Sequence, residues 1–109
     1  PAASGAEHRA VVVALDAIRS RSREPLTVGE LARAAGISAG HLIRLFRRDV
    51  GMTPKQYLLH HRIEWAKRLM TGDAQSLKAI AQETGFPDFQ QFSRAFHRLQ
   101  GCAPSKFSR

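Results

Sequence analysis

The sequence predicts an all-α fold of about seven helices, in which one two-helix unit is used twice and a long helix connects the copies. Three observations predict it. Apolar residues recur at three- and four-residue spacing in several short segments, most of them opened by Ser, Thr or Asp and closed by Gly. The stretch from Ile43 to Tyr57 can be laid over that from Ser93 to Phe107 at a shift of 50 residues, so that Arg44 matches Arg94, Phe46 matches Phe96, Arg48 matches Arg98, Gly51 matches Gly101, Pro54 matches Pro104 and Tyr57 matches Phe107. Upstream the shift is 49, with Leu31-Ala32 on Ile80-Ala81 and Gly36-Ile37 on Gly85-Phe86, which implies a one-residue length difference near residues 40 to 41 or 90 to 91.

Residues 1 to 6 read as a disordered tail. A first helix runs from about Glu7 to Arg21, with Val11, Val12, Leu15 and Ile18 at helical spacing, until Glu24-Pro25 interrupts it. Thr27 followed by Glu30 is a capping box for a short helix carrying Leu31, Ala32 and Ala35, and Gly36 ends it. Ser38 caps the next helix, which turns Leu42, Leu45 and Phe46 inward and stops near Gly51. Two short helices around a tight Gly-containing turn form a helix-turn-helix, so residues 7–58 make the first helix-turn-helix subdomain with its N-terminal helix. Thr53-Pro54, with Gln56 at the third helical position, starts a connecting helix over 54–71 that Gly72-Asp73 breaks, about 27 Å long at 1.5 Å per residue. Tyr57, Leu58, Ile63, Ala66, Leu69 and Met70 supply its buried face. In the second copy, residues 72–109, Ser76 caps a helix with Leu77, Ile80 and Ala81, Gly85 ends it, and Asp88 with Gln91 caps the last long helix, whose Phe92, Phe96 and Leu99 face inward.

Composition narrows the function. At 109 residues and 43% hydrophobic content the chain suits a globular fold, and it holds no apolar run of about 18 residues. The opening PAASGAEHRAVVV lacks the form of a secretory signal, so the expected location is cytoplasmic, with no membrane partner. A single cysteine, Cys102, closes no intrachain disulfide and has no zinc-finger neighbours. Seventeen Lys and Arg against nine Asp and Glu leave a formal charge of +8, and thirteen of the basic residues are Arg, whose planar fork matches phosphate and guanine. The excess follows the repeat: residues 26–109 hold thirteen basic and six acidic side chains, residues 1–25 four and three. A polyanion is the expected partner.

On the second helix of each copy, the positions left after the core is assigned form the opposite face. They are Gly40, Ile43, Arg44 and Arg47 in the first copy and Gln90, Ser93, Arg94 and His97 in the second, each 50 residues on. Arg44 and Arg94 can offer a bidentate fork to guanine, Gln90 can pair with adenine, Ile43 can touch a thymine methyl, and Gly40 permits close approach of backbone. Ser38, Arg48, Lys55, Lys78, Arg98 and Lys106 are placed for phosphates at the edges. One surface Arg is ordinary; the same Arg at the same register of both copies is not.

Other features carry less. His60-His61 point about 100° apart on a helix and do not share an ion. Trp65 and the six Phe fall mostly on core stripes rather than on a stacking platform. Phosphate loops, nucleophile elbows and paired carboxylates are missing, so no cofactor, metal or catalysis is expected.

These residues resemble the DNA-binding domain of the AraC/XylS transcription regulators. The similarity covers residues 26–109; its most specific part is Ala79-Ile80-Ala81 to Gly85-Phe86, Phe92-Ser93-Arg94-Ala95-Phe96, Gly101 and Pro104. Leu31-Ala32, Gly36, Ser38, Leu42, Arg44, Phe46, Gly51 to Pro54 and Tyr57-Leu58 resemble the first motif, and Arg62-Ile63, Ala66 and Leu69 the connecting helix. The resemblance implies sequence-specific double-stranded DNA binding in transcription regulation, two recognition helices in successive major grooves, activation through RNA polymerase, and a separate N-terminal sensor domain through which a parent protein dimerises while this domain stays monomeric. Gly40 stands where relatives often carry a larger side chain, so specificity is expected to lean on Gln90, Ser93 and Arg94. A non-specific architectural binder and a helical protein-interaction module are the alternatives that the same basic face would serve.

Overall fold

A computed structural model describes residues 5–72 and 75–107. Among them are six α-helices and one 3-10 turn, with no strand: α1 (Gly5–Arg21), α2 (Val28–Ala35), α3 (Ala39–Asp49), α4 (Pro54–Met70), α5 (Leu77–Glu83), α6 (Phe89–Gln100) and the turn Pro104–Lys106. Of the expected N-terminal tail, residues 1–4 lie outside the described residues, while Gly5 and Ala6 already belong to α1.

The helix ends follow from side-chain chemistry. Each of the first backbone N–H groups of a helix lacks an internal partner, and a polar residue just before the helix supplies one. Thr27 Oγ1 accepts from the Glu30 amide at 3.1 Å while Glu30 Oε1 accepts from the Thr27 amide at 3.2 Å. Ser38 accepts from His41, Ser76 from Ala79 and Asp88 from Gln91. Thr53 and Gln56 form a second reciprocal box, the Gln56 amide donating to Thr53 Oγ1 at 3.1 Å and the Thr53 amide to Gln56 Oε1 at 2.9 Å. No Gly or Pro interrupts residues 55–70, so α4 runs 17 residues without a break.

Two units result, Pro1–Leu58 and Leu59–Arg109. In the first, Ala10, Val11, Ala14 and Ile18 of α1 pack with Leu31, Ala32, Leu42, Leu45, Phe46 and Leu58. Val12, placed on the apolar stripe from sequence, is 47% exposed; Ala10, Ala14 and Ile18, spaced four apart, share the buried face with Val11 and leave Val12 to one side. In the second unit Ile63, Ala66, Met70, Ile80, Ala81, Phe86, Phe92, Ala95 and Phe96 form the core. Phe92 is its aromatic hub, with ring centroids 5.4 Å from Phe86 and 5.8 Å from Phe96, pairs worth about 0.5–1.5 kcal/mol each beyond burial. Leu99, expected inward, is 39% exposed. The buried Arg62 guanidinium stands 5.6 Å from the Phe86 ring centroid, and burial pushes its pKa down.

The repeat is visible in the bonds. The Ile37 amide donates to Ala32 O at 3.0 Å and the Phe86 amide to Ala81 O at 3.1 Å, closing α2 and α5 in the same way at a shift of 49. The caps at Ser38 and Asp88 are related by 50. The extra residue is therefore Pro87, inside the second turn, and not at 40 to 41 or 90 to 91, within α3 or α6.

Candidate nucleic-acid interface

Each unit presents the second helix of its helix-turn-helix, α3 or α6, in the same manner. Helix α3 buries Leu42, Leu45 and Phe46, and α6 buries Phe92, Ala95 and Phe96, which leaves the opposite faces outward. On α3, Gly40, Arg44 and Arg47 are exposed and Ile43 is half-buried. On α6, Gln90, Arg94 and His97 are exposed and Ser93 is half-buried. Neither Arg44 nor Arg94 has an ion-pair partner among the described residues. The Arg44 guanidinium folds back over Gly40, where a Cβ would lie 3.7 Å from Nη1. A methyl group would fit at Gly40 in ordinary contact with Arg44.

The fold that carries these helices is shared with known proteins. A family model described as a helix-turn-helix domain matches residues 31–109. The chain belongs to this family, in its AraC/XylS type. The AraC-type domain is 33% identical over 90 residues to the probable transcriptional regulator LumQ of Photobacterium leiognathi, covering 83% of this chain and 36% of that protein. It is 34% identical over 105 residues to the HTH-type transcriptional regulator GlxA of Rhizobium meliloti, covering 96% of this chain and 32% of that protein. The chain therefore spans about a third of the length of the curated relatives it matches. Among solved structures, it is similar to the DNA-binding domain of the global transcriptional factor AdpA in complex with a target DNA, with 28% identity, a TM-score of 0.80, and 89% and 86% of the two chains covered. A probable AraC family transcriptional regulator from Rhodopseudomonas palustris aligns with 25% identity and a TM-score of 0.78, over 89% of this chain and 92% of that one.

The edges of the AraC-type domain differ between the copies. Lys55, Lys78, Arg98 and Lys106 are exposed, and Arg98 has no ion pair among the described residues. Arg48, its counterpart in the first copy, is engaged. Its Nε donates to Asp49 Oδ1 at 2.7 Å, its Nη2 to Asp49 Oδ2 at 3.2 Å and its Nη1 to Glu7 Oε1 at 3.2 Å. The bond to Asp49, then that to Glu7, holds the Arg48 guanidinium even more firmly protonated than usual, and the same bond holds the Asp49 carboxyl below the ordinary carboxylate range. His41 Nε2 lies 3.3 Å from the other Glu7 oxygen. Glu7 thereby ties α1 to α3 beside the recognition face. Sequence reading missed Glu7 and His41, because pairs 34 and 41 residues apart leave no local signal. Ser38 spends its hydroxyl oxygen on the α3 cap, accepting from the His41 amide at 3.1 Å.

Among the described residues no group of three or more His, Cys, Asp or Glu is arranged to hold a metal ion. None of their helices is long and apolar enough to cross a membrane.

Proposed function

We propose that this chain binds double-stranded DNA sequence-specifically and regulates transcription, with α3 and α6 each entering a major groove. Arg44, Arg47, Gln90, Ser93, Arg94 and His97 read base edges, Ile43 meets an apolar base edge, and Gly40 admits close approach of backbone to the groove. Ser38, Lys55, Lys78, Arg98 and Lys106, with Arg48 in a lesser part, meet phosphates. One observation carries the reading: the equivalent Arg44 and Arg94 stand exposed at the same register of two recognition helices whose other faces are buried. A guanidinium fork so placed fits O6 and N7 of guanine. The transcriptional regulators it resembles, and the target-DNA complex of AdpA, support the same reading.

The proposal includes action by binding alone, without catalysis, in the cytoplasm. It also includes contact with RNA polymerase as an activator, and a monomeric DNA-binding unit in a regulator that dimerises elsewhere. Selection of sites from random duplexes, followed by footprinting, tests it. Two protected segments in successive major grooves are expected. Arg94→Ala is expected to weaken the selected site about 5- to 150-fold while leaving unrelated DNA nearly unaffected. Equal loss on all sequences would reduce Arg94 to a phosphate contact, and equal binding of wild type to all duplexes would leave only an architectural role.

A further inference from the structure

We propose that Phe89 is a specificity-determining residue, reading the C5-methyl of a thymine in the half-site that α6 occupies. The inference rests on the DNA-binding reading above and adds a residue to it. Phe89 is the first helical residue of α6, directly after the Asp88 cap, and is 40% exposed beside the exposed Gln90. A single exposed aromatic is ordinary on a protein surface; this one has an unusual setting. The N-terminal turn is the part of a recognition helix that meets base edges, and a phenyl ring is a recognised partner for the thymine methyl, the one apolar group on the major-groove edge.

The ring is also held. Its centroid lies 5.7 Å from that of Phe92 at an interplanar angle of 52°, and Phe92 is fully buried. A side chain already fixed by packing loses little rotamer freedom on docking. Phe89 thus packs on the buried Phe92 and keeps part of its surface exposed, on a helix whose Gln90 and Arg94 are exposed and whose Ser93 is half-buried. At the same register of the first copy stands Ala39, exposed and bearing only a methyl. The two recognition helices thus differ in apolar reach at their first residue, and thymine readout of this kind belongs to α6.

The test uses the 109-residue chain and its selected site. The α6 half-site is the one whose preference Arg94→Ala relaxes. Each thymine there is replaced in turn by deoxyuridine, which removes only the C5-methyl. At one thymine the affinity is expected to fall about fourfold, the worth of one buried methyl-sized group. In Phe89→Ala that sensitivity disappears, so thymine and deoxyuridine duplexes bind alike, while Phe89→Leu keeps most of it. A merely structural Phe89 would lower stability and leave the methyl dependence unchanged. The wild-type deoxyuridine series needs no variant, so poor folding of Phe89→Ala does not shield the idea. A half-site without thymine, no sensitive thymine, or undiminished sensitivity in both variants overturns the assignment alone. No selected site at all would overturn the DNA-binding reading with it.

Discussion

Neutralising Glu7 should strengthen DNA binding through Arg48. In the free protein Arg48 lies between two carboxylates, with three hydrogen bonds of 2.7–3.2 Å, so its local field is that of a net negative cluster rather than of a cation. The pairs are part-exposed, with side-chain exposures of 44% for Arg48, 33% for Glu7 and 27% for Asp49, and contribute little to stability themselves. Their importance lies in competition with phosphate. Glu7→Gln removes one negative charge and leaves Nη1 only a weaker, neutral acceptor, so that a DNA oxygen competes for it more easily. One added phosphate contact raises the slope of log affinity against log salt by about 0.9, which changes the affinity ratio between about 50 and 200 mM salt by about 3.5-fold. Fluorescence anisotropy on a labelled duplex across that salt range measures it, with a thermal melt to verify the fold. The gain should vanish in Glu7→Gln with Arg48→Ala. An unchanged slope in Glu7→Gln, or a gain that persists without Arg48, would refute the reasoning; the second result would assign the effect to bulk charge alone.

Phe46→Ala and Phe96→Ala each empty a fully buried site and should cost about 3–5 kcal/mol in urea unfolding. Gly36→Ala and Gly40→Ala should have opposite signs: Gly36 sits at φ +76°, where a side chain costs about 1–2 kcal/mol, whereas at Gly40, in the first turn of α3, an added Cβ meets Arg44 Nη1 at an ordinary 3.7 Å contact and gains about 0.5–1 kcal/mol of helix propensity. Their thermal midpoints should therefore move apart. The Asp49 carboxyl should titrate below the usual aspartate value by carboxyl-detected NMR, and Arg48→Ala should return it. Because its folded pKa is depressed, the stability it lends is complete above about pH 4 and is lost as pH falls through the lower folded value.

Local chemistry made much of this fold legible in the sequence. Thr27 with Glu30, Ser38, Thr53 with Gln56, Ser76 and Asp88 with Gln91 announce helix starts because their hydroxyls, carboxylate or amide must satisfy amides only three residues away. The outward faces of α3 and α6 follow from the spacing of Leu42, Leu45, Phe46, Phe92 and Phe96. Less legible were features set by tertiary packing. Hydrophobicity alone favours Val12 over Ala10, yet the phase of the helix face that packs on α2 and α3 buries Ala10 and leaves Val12 exposed. The Glu7 tether on Arg48 joins distant parts of the chain, so spacing offered no hint. The offset between repeats was visible, but only the two sets of cap bonds locate it at Pro87.

That proline has a practical consequence. Each helix flanking the turn is terminated by bonds of its own, the α5 end by the Phe86 amide and the α6 start by Asp88, so the chain between them tolerates a change of length without unravelling either side. Gly36 and Gly85 before the turn, and Ser38 and Asp88 after it, are matched splice points. Were α3 and α6 exchanged between these points, each would arrive with its own N-terminal cap, Ser38 or Asp88, while Leu42, Leu45 and Phe46 would trade core places with Phe92, Ala95 and Phe96.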